Sequence, residues 1–213
     1  MANPSINQTA SALLAAHHQV MCYAGDKGML DSPRTTLVAA VVERGVVHWV
    51  HCGDSRLYFV RQGELLARTR DHSYLEGRHA PPPGRHRTNR NVLFTCLGSP
   101  TKPIYDLTGP VSLEQGDRLL LCSDGLWGTL DDAEITRQLA SLPVSQSVPE
   151  LVESALRKAG ASSDNVTVRM EIRNRLAVLA VICALAAVAL LVIPRRFSIR
   201  PTRETRARHT GLS

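Results

Sequence analysis

Aromatic residues are scarce, at 4% of 213 residues, and none is interleaved with basic side chains. Stacking of bases on aromatic rings, on which single-strand binders depend, has little to draw on. The five cysteines, Cys22, Cys52, Cys96, Cys122 and Cys183, contain no CxxC pair and lie mostly in apolar runs. This argues for reduced, buried thiols rather than a disulfide framework or a zinc ribbon. The first ten residues hold no basic residue and no apolar stretch, so no cleavable signal is read there. Excess positive charge is also missing from most of the chain. Of the net charge of +6, five charges come from the last twenty residues, where Arg195, Arg196, Arg200, Arg203, Arg206 and Arg208 face only Glu204. The remainder is close to neutral, and no nucleic-acid partner is expected.

What is present is enough apolar patterning for one domain and an appendage, at 44% apolar content. Ala10, Leu13, Leu14, His17, Val20 and Met21 follow the i, i+3, i+4, i+7 spacing of a helix with one apolar face. His17 and His18 have no acidic or cysteine partner at i+4 and are read as surface groups of that helix. A loop over Ala24 to Arg34 leads into two β runs, Thr35 to Val42 and Val46 to Cys52, joined by the turn Glu43-Arg44-Gly45. A second hairpin pairs Leu57 to Val60 with Leu65 to Thr69 across Arg61-Gln62-Gly63. His48 and His51 do not share a face and offer no metal pair. Asp71 to Asn91 is rich in proline and arginine and reads as a basic flap, whose Arg85, Arg87 and Arg90 are candidates to meet an anionic substrate. Ile104 to Thr108 is a further strand.

Leu119 to Cys122 form a continuous apolar run after a Gly116-Asp117 turn, as a buried central strand should. It ends in Ser123-Asp124-Gly125, which sets a carboxylate at the end of a rigid element. Asp131 with Glu134 makes a capping-box start for a helix over Ala133 to Leu142. Ser147 with Pro149 opens another helix, closed by Gly160. Val166, Val168 and Met170 then alternate with polar residues in a last half-buried strand, with Asp164 at its start. Asp54, in GDSR after Cys52, is the third acid at a strand end.

GDSR with Asp54, SDGLW with Asp124 and SSDNVTV with Asp164, in this order, resemble the metal-dependent serine/threonine protein phosphatases of type 2C, the PPM family. The likeness extends to TTLVAAVV from Thr35, to DHS at Asp71 to Ser73, to NVLFTCLG before Ser99 and to LEQGDRLLLCSDGLW. It covers roughly Ala10 to Ile172. The resemblance implies an α+β fold, two packed antiparallel β-sheets flanked by helices in an αββα sandwich. It implies a binuclear Mn²⁺ or Mg²⁺ centre with Asp124 and Asp164 as ligands, and an additional metal held by Asp54 with Asp124. All-oxygen ligation suits these hard dications. The reaction implied is hydrolysis of phosphoserine or phosphothreonine in proteins by a metal-activated water.

The family pattern begins with a phosphate-gripping arginine, an acidic residue and a DGxGG turn. None of these occurs in this sequence, and Asp26-Lys27-Gly28 is the nearest string. The expectation is an N-terminally incomplete phosphatase domain over residues 1–173, with weak or absent activity in this chain alone. The alternative is an inactive remnant that acts as a membrane-tethered binding protein. Leu176 to Ile193 carry no charge and are fenced by Arg173, Arg175, Arg195 and Arg196. They predict a C-terminal transmembrane helix over 174–194, followed by a basic tail over 195–213, with the domain on the cytoplasmic side.

Overall fold

The computed structural model describes residues 4–29, 31–76, 92–160, 168–172 and 179–185. Helix α1 (Pro4–Asp26) precedes two hairpins, β1 (Thr35–Glu43) with β2 (Val46–Cys52) and β3 (Arg56–Arg61) with β4 (Glu64–Arg68). Then come β5 (Asp106–Ser112), β6 (Arg118–Cys122), a one-turn helix α2 (Asp124–Trp127), α3 (Asp132–Ser141), α4 (Val144–Ala159), β7 (Val168–Ile172) and β8 (Leu179–Leu185). Both hairpin turns bend through left-handed residues, Arg44-Gly45 and Gln62-Gly63, as tight antiparallel connections require.

The strands form two four-stranded antiparallel sheets, ordered β5-β2-β1-β8 and β4-β3-β6-β7. Strand residues alternate between two destinations, which explains why so many of them are apolar in unbroken runs. Val38, Ala40, Val47 and Trp49 of one sheet meet Leu57, Phe59, Leu119 and Leu121 of the other. Tyr58, Val60, Leu120 and Cys122 face the opposite way, onto Leu126, Leu130, Ile135, Leu139 and Leu151 of the α2–α4 layer. On the far side Leu37, Ala39, Val50 and Cys52 pack under Leu13 of α1. The result is a helix–sheet–sheet–helix sandwich. A wholly buried leucine such as Leu120 contributes about 2–3 kcal/mol of hydrophobic stabilisation.

Helix ends follow local chemistry. Asp131 caps α3 by accepting from the Glu134 N–H at 2.7 Å. The last helix starts at Val144, three residues before the expected Ser147, and takes Pro149 into its second turn. Gly160 closes it with a positive φ of 56°.

One expectation is corrected. His17 is not a surface group: it is 6% exposed, and its Nδ1 accepts the Gly98 N–H at 3.2 Å. Within the apolar segment expected as a transmembrane helix, Leu179–Leu185 form a strand paired with β1 in the register Leu37 to Cys183, and the rest of 174–194 lies outside the described residues. An uncharged run satisfies a buried strand as well as a span, and the open edge of β1 supplies the hydrogen-bond partners. Among the described residues no helix is long and apolar enough to cross a membrane.

Candidate active site

Asp54 and Asp124 arrive at one place by strand pairing. In the β3–β6 ladder Arg56 sits opposite Cys122, so Asp54, two residues before one, and Asp124, two residues after the other, leave the sheet at the same end. The Gly53 backbone ahead of Asp54 has φ of +105°, which a side chain resists. Asp124 opens α2, placed there by the buried run Leu119 to Cys122.

The electrostatics of this end favour a cation. Asp54 is buried, and burial first, then the charges of Asp124 and Asp71, push its carboxyl up to about 7. Carboxylates crowded in this way repel one another and gain when a dication stands between them. Their all-oxygen donor set fits Mg²⁺ or Mn²⁺. Asp164, the third expected ligand, lies outside the described residues, as do Arg85, Arg87 and Arg90. Of the candidate site residues the structure therefore brings together Asp54 and Asp124.

A positioning network that sequence reading did not assign surrounds them. Arg56, the arginine of GDSR, is buried and grips Asp71 with two hydrogen bonds of 2.7 Å. Its guanidinium also reaches Tyr58 Oη at 3.3 Å and lies 3.6 Å over the Trp127 ring. Trp127 Nε1–H in turn donates to the Asp54 carbonyl at 3.0 Å. Arg56 is thus engaged by protein groups and holds the Asp54 turn against α2. The signal available beforehand was the co-occurrence of GDSR, DHS and SDGLW, which named the strings without showing that they touch.

A second cluster lies close by. His51, His72 and Asp106 each offer a ligand atom within 4.8 Å of the others. No sequence spacing joins residues 51, 72 and 106. The strand pairing of His51 with Asp106 does so.

No family model matches the chain. It is 36% identical over 145 residues to the serine/threonine protein phosphatase PstP of Mycobacterium tuberculosis, covering 65% of this chain and 27% of that protein. The chain thus spans about a quarter of that relative's length. The structure is similar to that of the PPM Ser-Thr phosphatase MsPP from Mycobacterium smegmatis in complex with cacodylate. There the identity is 31%, the TM-score 0.58, and 78% of each chain is covered. It is also similar to the catalytic domain of PstP in complex with two manganese ions, with 28% identity, a TM-score of 0.62, and 85% of this chain and 74% of that one covered.

Proposed function

The chain belongs to the PPM family of metal-dependent serine/threonine protein phosphatases, and on that premise we propose that it hydrolyses phosphoserine or phosphothreonine in phosphoproteins with Mn²⁺ or Mg²⁺. The observation that carries the reading is the meeting of buried Asp54 and half-buried Asp124, mutually repelling, at the shared end of β3 and β6. Asp124 and Asp54 hold cations, with Asp164 as the further ligand, four residues ahead of Val168, which pairs with Cys122. When bound, such ions supply Lewis acidity toward a phosphoryl oxygen and toward water. The chain's own part is positional: Trp127 and the Arg56–Asp71 pair fix the Asp54 turn, so that its carboxylate stays aimed at the site.

Turnover by this chain alone is expected to be weak, because the phosphate-gripping arginine and the DGxGG aspartate of the family pattern do not occur in its sequence. Phosphate release from a phosphothreonine peptide with Mn²⁺ tests the proposal. A low, Mn²⁺-dependent rate lost in Asp124→Ala is expected, with Asp54→Ala milder because Asp124 is placed to serve more than one ion. Equal rates in parent and Asp124→Ala would sink the phosphatase reading and leave the binding-protein alternative.

For location we propose a membrane tether, supported by the uncharged run Leu176 to Ile193 and its flanking arginines, with the domain on the cytoplasmic side, supported by the phosphoprotein substrates proposed above and not by the arginines, which are balanced across the run. Pairing of β8 with β1 competes with it, since a segment hydrogen-bonded in the sheet is not free to span a bilayer at the same time. Recovery of the full-length protein without detergent after lysis removes the tether.

A further inference from the structure

His51 lies on β2 and Asp106 opens β5, and the two are direct partners across that antiparallel pair. His72, in the loop behind β4, stacks on His51 with ring centroids 4.6 Å apart, and its Nε2 stands 3.5 Å from Asp106 Oδ2. His51 Nε2 meets the Arg70 carbonyl oxygen at 2.8 Å. A carbonyl only accepts, so the ring proton sits on Nε2, and Nδ1 keeps its lone pair. That Nδ1 is buried without a hydrogen-bond partner, in a residue 3% exposed. An imidazole whose one nitrogen donates to a backbone carbonyl while the other offers a free lone pair is arranged as metal-ligating histidines are. The 3.5 Å between His72 and Asp106 is long for a hydrogen bond. It is close to the separation of about 3.4 Å between two donors that each sit about 2.0–2.1 Å from one tetrahedral ion.

We propose that His51, His72 and Asp106 form a binding site for a zinc-class transition-metal dication, separate from the Asp54 and Asp124 centre. Imidazole nitrogens select Zn²⁺, Co²⁺ or Ni²⁺ over the Mg²⁺ and Mn²⁺ that suit an all-oxygen set. Asp106, with its side chain 61% exposed, opens the site to solvent and leaves room for a water as fourth ligand. His72 joins after one rearrangement. Its Nδ1 now accepts the Gly53 N–H at 3.2 Å, which places the ring proton on Nε2. Ligation through Nε2 moves that proton to Nδ1 and releases the Gly53 amide, with no net proton lost from the ring. The site does not depend on phosphatase activity, and a chain that hydrolyses nothing would still carry it.

The test is Zn²⁺ binding to the full chain, by competition with a chromophoric chelator in large excess of Mn²⁺, for the parent, His51→Gln and Asp106→Asn. Glutamine keeps a donor for the Arg70 carbonyl but has no Nδ1 lone pair, and Asp106 is exposed enough for its replacement to leave the fold intact. The parent is expected to hold one equivalent of Zn²⁺ and each variant to bind at least tenfold more weakly. Co²⁺ in place of Zn²⁺ should give the intense visible absorption of a four-coordinate, nitrogen-ligated ion. No Mn²⁺-resistant Zn²⁺ in the parent, or unchanged affinity in both variants, overturns the proposal. So does Zn²⁺ that is lost in Asp124→Ala and kept in His51→Gln, because the ion would then sit on the aspartates.

Discussion

Trp127 ties the two aspartate-bearing turns together at a single residue, through its ring on Arg56 and its Nε1–H on the Asp54 carbonyl. Trp127→Phe keeps the stacking and removes the hydrogen bond, so about 1 kcal/mol of stability should go, read as a lowered urea midpoint with an unchanged slope. Mn²⁺ affinity should fall several-fold in the same variant, by calorimetric titration, because the Asp54 turn loses its anchor. Unaltered Mn²⁺ affinity would mean the turn is held by Arg56 alone. His17 acts at a different contact, between α1 and the Gly98 loop. Burial, and secondarily the neighbouring His18, lower its pKa from 6.5. The folded value lies below the unfolded one, so stability is full above about pH 6.5 and is lost as pH falls through the lowered folded pKa. Thermal unfolding between pH 7.5 and 5 should show a steeper decline in the parent than in His17→Gln, and parallel declines would assign the loss to other groups. The burial of His17 was illegible beforehand, because helical spacing gives a residue's face but not the depth of the loop that closes over it.

At the scale of elements, the turn between β2 and β3 is the most constrained short piece. A Cβ on Gly53 would collide with the Thr36 side chain, whose Oγ1 is already bound to Ser55 Oγ at 2.8 Å, and the φ of +105° adds backbone strain. Gly53→Ala should therefore cost about 2–3 kcal/mol and weaken Mn²⁺ binding through Asp54, both measurable on one preparation. A stability unchanged within error would show that the turn can relax. Elements of this kind were readable: the hairpins follow from apolar runs broken by Arg44-Gly45 and Gln62-Gly63, and α3 from the Asp131 cap. The start of α4 was not, since a proline usually marks a helix's first turn and Pro149 instead falls in the second. Contacts of long sequence separation, such as Arg56 with Asp71 or His51 with Asp106, depend on how the hairpins pair, which no local pattern specifies.

For the whole molecule, the fold class was legible through the resemblance that GDSR, SDGLW and SSDNVTV carry, and not from the strand pattern alone, whereas the fate of the apolar C-terminal run was not. Length and lack of charge suit a membrane span and a sheet strand alike, and the pairing of Leu179–Leu185 with β1 is what favours the strand. Removal of residues 174–213 separates the two. With β8 in the sheet, the shortened protein should melt lower and sediment as aggregates through the exposed edge of β1. An unchanged melting temperature with improved solubility would assign the run to a bilayer. The pairing of Leu37 with Cys183 also sets an order of events during synthesis. The two partners leave the ribosome roughly 150 residues apart, which at ~5–20 residues per second leaves one edge of the nascent sheet unpaired for about 7–30 s. For that interval the growing chain is a template for any strand it meets, including another copy on the same messenger, and its yield in the cell depends on how crowded that messenger is with ribosomes.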